Sequence, residues 1–172
     1  MRELTVLGTC DAWPEAGRAA SGLVLERVQA MEPTEDLREV FEPHPLPGSH
    51  EIGTFRLEGS PLPHHVPHAG VRLTAPGLTV AYSGDAGGDH ALGELAAEAD
   101  LFIAGATLQG AATDPHPLSA AEAGRWAARA EVRRLLLTHF WPDTDRGRSV
   151  TEAAAAYDGE ILAAAEGLVI PL

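Results

Sequence analysis

The sequence predicts an α/β protein of layered build, and three observations carry that expectation. Short β-branched and aromatic runs, punctuated by Gly and Pro, fill residues 51–82. After Asp85, apolar strand-like runs alternate with Ala-rich helical stretches to the C-terminus. The chain has 172 residues, 45% of them hydrophobic, which is enough for one core and too little for two domains.

Taken in order, residues 3–7 (ELTVL) form a short apolar run ending at Gly8, read as a strand, and residues 21–26 (SGLVLE) form a second. The stretch between them is rich in Gly, Pro and small residues and reads as a loop. Residues 34–41 put Leu37, Val40 and Phe41 on one helical face, with Thr34 in position to cap. A Pro-rich connection, EPHPLPGSHEIG, follows. Strands are then expected within residues 52–59, 70–75 and 78–84, with Ala75-Pro76-Gly77 as a hairpin turn. Residues 90–99 read as helix and 101–104 as a buried strand. Ser119 and Glu122 form a capping box that opens a helix to Ala130. Residues 132–138 form a strand. Ser149 and Glu152 read as a second capping box opening a helix to Ala156, with Asp143 and Asp145 ahead of it as loop and cap residues. Residues 160–163 and 167–170 close the chain as strands.

Composition excludes several chemistries. A single cysteine, Cys10, rules out an intrachain disulfide and any CxxC motif, so a metal must be held by His and carboxylates. There is no lysine, which removes Schiff-base chemistry and the phosphate-binding lysine of a P-loop. The formal net charge of −13 lacks the basic face that counterion release from nucleic acid requires, so no nucleic-acid partner is expected. No apolar run approaches the roughly 18 residues of a membrane span, and the N-terminus does not read as a secretory signal. A soluble cytoplasmic protein is the expectation.

Chemistry concentrates in histidines. His64, His65 and His68 lie in PLPHHVPHAG, Asp85 lies in YSGD, and His139 follows the apolar strand RLLLT. Strand ends present side chains to a common cleft, and imidazole and carboxylate are the donors a zinc-like ion takes when no thiolate is available. Singly, each is more often structural: a histidine after a strand is usually a packed or surface residue, and SGD is usually a turn.

In order, however, these segments resemble the metallo-β-lactamase superfamily, in the branch close to ribonuclease Z. The opening resembles it in Gly8, Pro14 and Ser21-Gly22. PLPHHVPHAGVRL resembles the family's His-x-Val-Pro-x-x-Gly-hydrophobic-Arg strand, YSGD its Tyr-Ser-Gly-Asp motif, and the segment ending LLLTHFWP its last ligand strand. The resemblance implies an αββα four-layer sandwich, incomplete here, and metal ligation by His64, Asp85 and His139, with Asp85 between two zinc-like ions. It implies hydrolysis of a small ester, lactone or phosphodiester through a metal-activated water.

The sequence departs from the family in one large respect. The signature His-x-His-x-Asp-His, which supplies most of the metal ligands, occurs nowhere in it. The single domain 1–172 therefore reads as carrying an internal gap of roughly 70 residues near residues 26–27, judged against a family domain of about 150–250 residues. With it gone, one ion or none is expected in place of two. Gly105 stands where relatives carry Glu, and His116 stands one residue early for the position that supplies a proton to the leaving group. The alternative to the hydrolase is a non-catalytic member that keeps the scaffold for binding or assembly. Sheet edges left open by the gap predict a homo-oligomer.

Overall fold

The computed structural model describes residues 3–5, 45–110 and 117–172. The strand expected at 21–26, the helix expected at 34–41, the gap expected at 26–27 and His116 lie outside the described residues. Nine strands and three helices are present among those described: β1 (Glu3–Thr5), β2 (Ser49–Ile52), β3 (Phe55–Pro61), β4 (Ala69–Ala75), β5 (Leu78–Tyr82), α1 (His90–Ala96), β6 (Leu101–Gly105), α2 (Ala120–Arg129), β7 (Arg134–Thr138), α3 (Arg146–Ala154), β8 (Glu160–Ala163) and β9 (Val169–Pro171).

Seven strands form one mixed sheet in the order β2-β3-β4-β5-β6-β7-β8, and β1 pairs with β9 in a second. The first four strands are joined as antiparallel neighbours, whereas β5 through β8 run parallel. The switch follows the sequence: two-residue turns such as Pro76-Gly77 permit antiparallel return, while helical crossovers force parallel pairing. One end of the parallel half is therefore a row of strand C-termini.

Register fixes which face each layer covers. Arg72, Ala81, Phe102 and Leu135 pair across successive strands and so share one face. The Arg72 guanidinium donates to the carbonyl of Leu95 in α1, which places the helices on that face. Arg134 points to the other face and donates to the carbonyl of Pro171 in β9, so the small sheet covers the far side. Helices, large sheet and small sheet make three layers of the α/β sandwich that the sequence predicts. Between them Leu92, Leu101, Phe102, Leu135, Leu137 and Phe140 are buried almost completely.

Two sequence expectations need correction. Ser49–Ile52 is a strand, not part of a Pro-rich connection, because Gly53, in the left-handed region at φ 60°, turns the chain back onto β3. Ser149 is not a helix cap. Asp145 caps α3 by accepting from the Arg148 N–H, so the helix begins four residues earlier than the Ser149 box places it. Ser149 is instead buried within the helix and accepts from Gln109. The Ser119–Glu122 capping box is present with both of its hydrogen bonds.

Candidate metal-binding site

The parallel strands end side by side, and the residues just beyond those ends form the site. Asp85 follows β5 through the turn Ser83-Gly84, and His139 follows β7 directly. His64 lies in the β3–β4 connection, which the antiparallel pairing of β4 with β5 delivers to the same end. That connection is closed by a bond from the Leu62 N–H to the His68 carbonyl at 3.1 Å, and is tied to the Asp85 loop by one from Gly87 to Pro63 at 3.0 Å.

The three residues singled out in the sequence come together around one carboxylate. His64 Nε2 lies 3.0 Å from Asp85 Oδ2, and His139 Nδ1 lies 3.5 Å from Asp85 Oδ1. Each oxygen therefore faces a different imidazole. The two histidine side chains are 6% and 7% exposed and the aspartate 24%, so the carboxylate is the member of the trio that water reaches. Burial pushes the His64 imidazole below its ordinary pKa, while the hydrogen bond and charge of Asp85 oppose that shift. The net effect favours neutral imidazole, the form that can donate a lone pair.

Supporting contacts fix the turn. The Ser83 hydroxyl donates to the Gly84 carbonyl at 2.9 Å and accepts from the Gly105 N–H at 3.0 Å, linking β5 to β6. His68 Nε2 donates to the Ser83 carbonyl at 2.9 Å, and its ring lies so close to Gly84 that a Cβ there would overlap it. Gly84 adopts φ 59°. Thr107, 4% exposed, places its hydroxyl 3.1 Å from His139 Nδ1. Sequence reasoning named His68 among the clustered histidines without giving it a role, and it missed Thr107. The available signals were the third histidine of HHVPH and a threonine two residues past a buried strand. At Gly105, a Cβ would stand 2.9 Å from the Gly84 carbonyl, so the glycine that departs from the family pattern sits where the two strand ends approach closely.

The residues present fit a divalent ion in kind and in spacing. Two ligand atoms, each about 2.1 Å from one zinc, stand about 3.0–3.4 Å apart, and the observed separations are 3.0 and 3.5 Å. Asp85 Oδ1 is buried and has no hydrogen-bond partner among the described residues. An anionic oxygen held dry and unbonded is costly unless a cation or donor meets it. In number the set is short: each carboxylate oxygen has one imidazole, and among the described residues no group of three or more His, Cys, Asp or Glu surrounds one point. Asp85 stands between the two imidazoles, with one at each of its oxygens.

A seven-stranded sheet with a site at its strand ends defines a hydrolase-like fold of the metallo-β-lactamase type. The chain belongs to that family: the model of the beta-lactamase superfamily domain matches residues 11–140. An uncharacterized protein of Mycobacterium leprae is 36% identical over 163 residues, covering 93% of this chain and 56% of its own length. The ribonuclease Z of Thermobifida fusca is 35% identical over 123 residues, covering 66% of this chain and 39% of its own. Among solved structures, the metallo-beta-lactamase fold protein YhfI from Bacillus subtilis superposes with a TM-score of 0.68 at 26% identity, covering 76% of this chain and 54% of that one. The chain spans about half the length of the curated relatives it matches.

Proposed function

We propose that this chain carries part of the active site of a metal-dependent hydrolase that cleaves a small ester, lactone or phosphodiester. The observation that carries this reading is the Asp85 carboxylate, with an imidazole facing each of its oxygens and one oxygen buried without a hydrogen bond among the described residues. His64 and His139 would hold zinc or a similar divalent ion on either side of Asp85. When bound, such an ion lowers the pKa of its water toward neutrality and polarises the substrate oxygen.

The chain's own part is to keep this constellation fixed and partly dry. Burial holds His64 neutral, and Asp85 stays at the end of a turn clamped by Ser83 and His68. An ion that displaces the proton between His64 and Asp85 makes binding weaken as pH falls. The ribonuclease Z likeness supports a phosphodiester substrate, while the net charge of −13 favours a small one over a polynucleotide. The absence of His-x-His-x-Asp-His and the low donor count favour a second reading, in which the scaffold persists without catalysis.

Hydrolysis of bis(p-nitrophenyl) phosphate and of a simple lactone, with added zinc or manganese, separates the two. The hydrolase reading predicts turnover above the metal-only blank that falls at least about 100-fold in Asp85→Asn, in line with losing a charge that stabilises the reacting centre. Activity indistinguishable from the blank with either substrate and either metal supports the non-catalytic member. Cleavage of a transfer-RNA precursor in preference to both small substrates would overturn the substrate class.

A further inference from the structure

We propose that His68 is a positioning residue for Asp85: its Nε2–H fixes the peptide between Ser83 and Gly84, and so sets where the carboxylate stands against His64. The value of this to a bound ion rests on the metal-hydrolase reading; the positioning itself does not.

The direction of the hydrogen bond follows from its acceptor. His68 Nε2 lies 2.9 Å from the Ser83 carbonyl, and a carbonyl oxygen only accepts. The neutral ring therefore carries its proton on Nε2, and that nitrogen has no lone pair to offer a cation. The histidines of HHVPH thus take different parts. His64 faces Asp85 Oδ2 at 3.0 Å, His65 is exposed with its ring centroid 3.9 Å from that of His64, and His68 serves the backbone.

The bond matters because of where it falls. Both carbonyls that lead into Asp85 are held, that of Ser83 by His68 and that of Gly84 by the Ser83 hydroxyl. Peptide groups are planar, so fixing both carbonyls fixes the course of the chain into Asp85. Ser83 gives this turn a firm base, since its N–H donates to the Ile103 carbonyl at 3.0 Å and its hydroxyl accepts from the Gly105 N–H. His68 is anchored in turn. Its carbonyl accepts from the Leu62 N–H at 3.1 Å, which closes the connection that also carries His64. One closed loop therefore supplies both the imidazole that faces the carboxylate and the imidazole that aims it. Loss of the second should loosen the His64–Asp85 contact while leaving both of its partners in the chain.

Two-bond ¹H–¹⁵N correlation spectra of the metal-free, ¹³C,¹⁵N-labelled full chain, recorded at pH ~9 where an ordinary imidazole is neutral, give the tautomer of His68. Its signals are assigned by their loss in His68→Gln. The expected form is Nε2–H; Nδ1–H overturns the proposal. The second readout is the side-chain carboxyl carbon of Asp85, assigned by its loss in Asp85→Asn. It should shift in His68→Leu, which removes the donor, and keep the parent's position in His68→Gln, whose amide N–H can reach the same carbonyl. Zinc titrations should follow the same order, with binding weakened by about 10–100-fold in His68→Leu and recovered in His68→Gln. A ring that only filled space would not be replaced by a donor of another shape. A His68→Leu protein that matches the parent in both carboxyl signal and affinity overturns the proposal, and so does a His68→Gln protein that behaves as His68→Leu. If His68→Leu does not fold, the tautomer and the agreement of His68→Gln with the parent decide. A parent that shows the expected tautomer and carboxyl shifts and yet binds no zinc sinks the metal-hydrolase reading and leaves the positioning role standing.

Discussion

Gly84 shows how little freedom the site residues have. Its φ of 59° and the ring of His68 against the place of a Cβ leave no room for a side chain. Gly84→Ala should therefore cost about 1–3 kcal/mol of stability, read as a lower urea midpoint, and it should disturb Asp85 next door; an unchanged midpoint would contradict this. His64 yields a pH prediction with a definite sign. Burial lowers its folded pKa, so between that value and the ordinary one the unfolded chain binds more protons than the folded. The stabilisation is complete above the ordinary imidazole value and is lost as pH falls through it toward the depressed folded value. The urea midpoint of the parent should fall between about pH 7.5 and 5.5 more than that of His64→Gln, and equal falls would contradict the assignment. That His64, Asp85 and His139 lie near one another was legible in the sequence only from the segments taken in order, through their resemblance to the family's motifs. The role of His68 was not legible. Its partner is a backbone carbonyl fifteen positions away, and nothing in the text of HHVPH distinguishes a ligand from a clamp.

Helices and strands were legible where local chemistry acts alone. The Ser119–Glu122 box opens α2 as its spacing requires, and Ser119→Ala should cost about 1 kcal/mol. The same motif failed at Ser149, because Asp145 already caps the helix and Ser149 is drawn to Gln109. Sequence spacing cannot tell a cap from a buried hydroxyl that serves a tertiary partner. The strand at Ser49–Ile52 was hidden by its Pro-rich flank, since its pairing with β3 is decided by the turn at Gly53 and not by the composition of the strand itself. Packing between helices was equally unreadable. In α2, Gly124 lies against the backbone of Ala153 in α3, so close that a Cβ would overlap the carbonyl. Gly124→Ala should push the helices apart and destabilise the fold by about 1–3 kcal/mol, whereas Ala128→Gly on the exposed side of the same helix should cost about 1 kcal/mol. Equal costs would mean that the crossing is looser than described.

At the scale of the whole molecule, the layer order follows from alternating patterns, and the family from motifs in sequence order. No helix among the described residues is long and apolar enough to cross a membrane. Among the described residues β2 has one neighbour in the sheet, and Ile52 on it is 54% exposed. An apolar side chain on a sheet edge favours pairing with another chain, so the isolated chain is proposed to self-associate. Light scattering coupled to gel filtration should give a mass above that of one chain, reduced by Ile52→Lys; a single-chain mass at every concentration would count against it. All of this bears on one claim, that Asp85 and its two flanking imidazoles attract a divalent ion. Isothermal titration of the metal-free chain with zinc at neutral pH, followed by elemental analysis of the product, tests it most directly. The account predicts binding that the parent shows and that Asp85→Asn and His139→Gln lose; less than about a tenth of an equivalent bound by the parent, or equal binding by all three proteins, would contradict it.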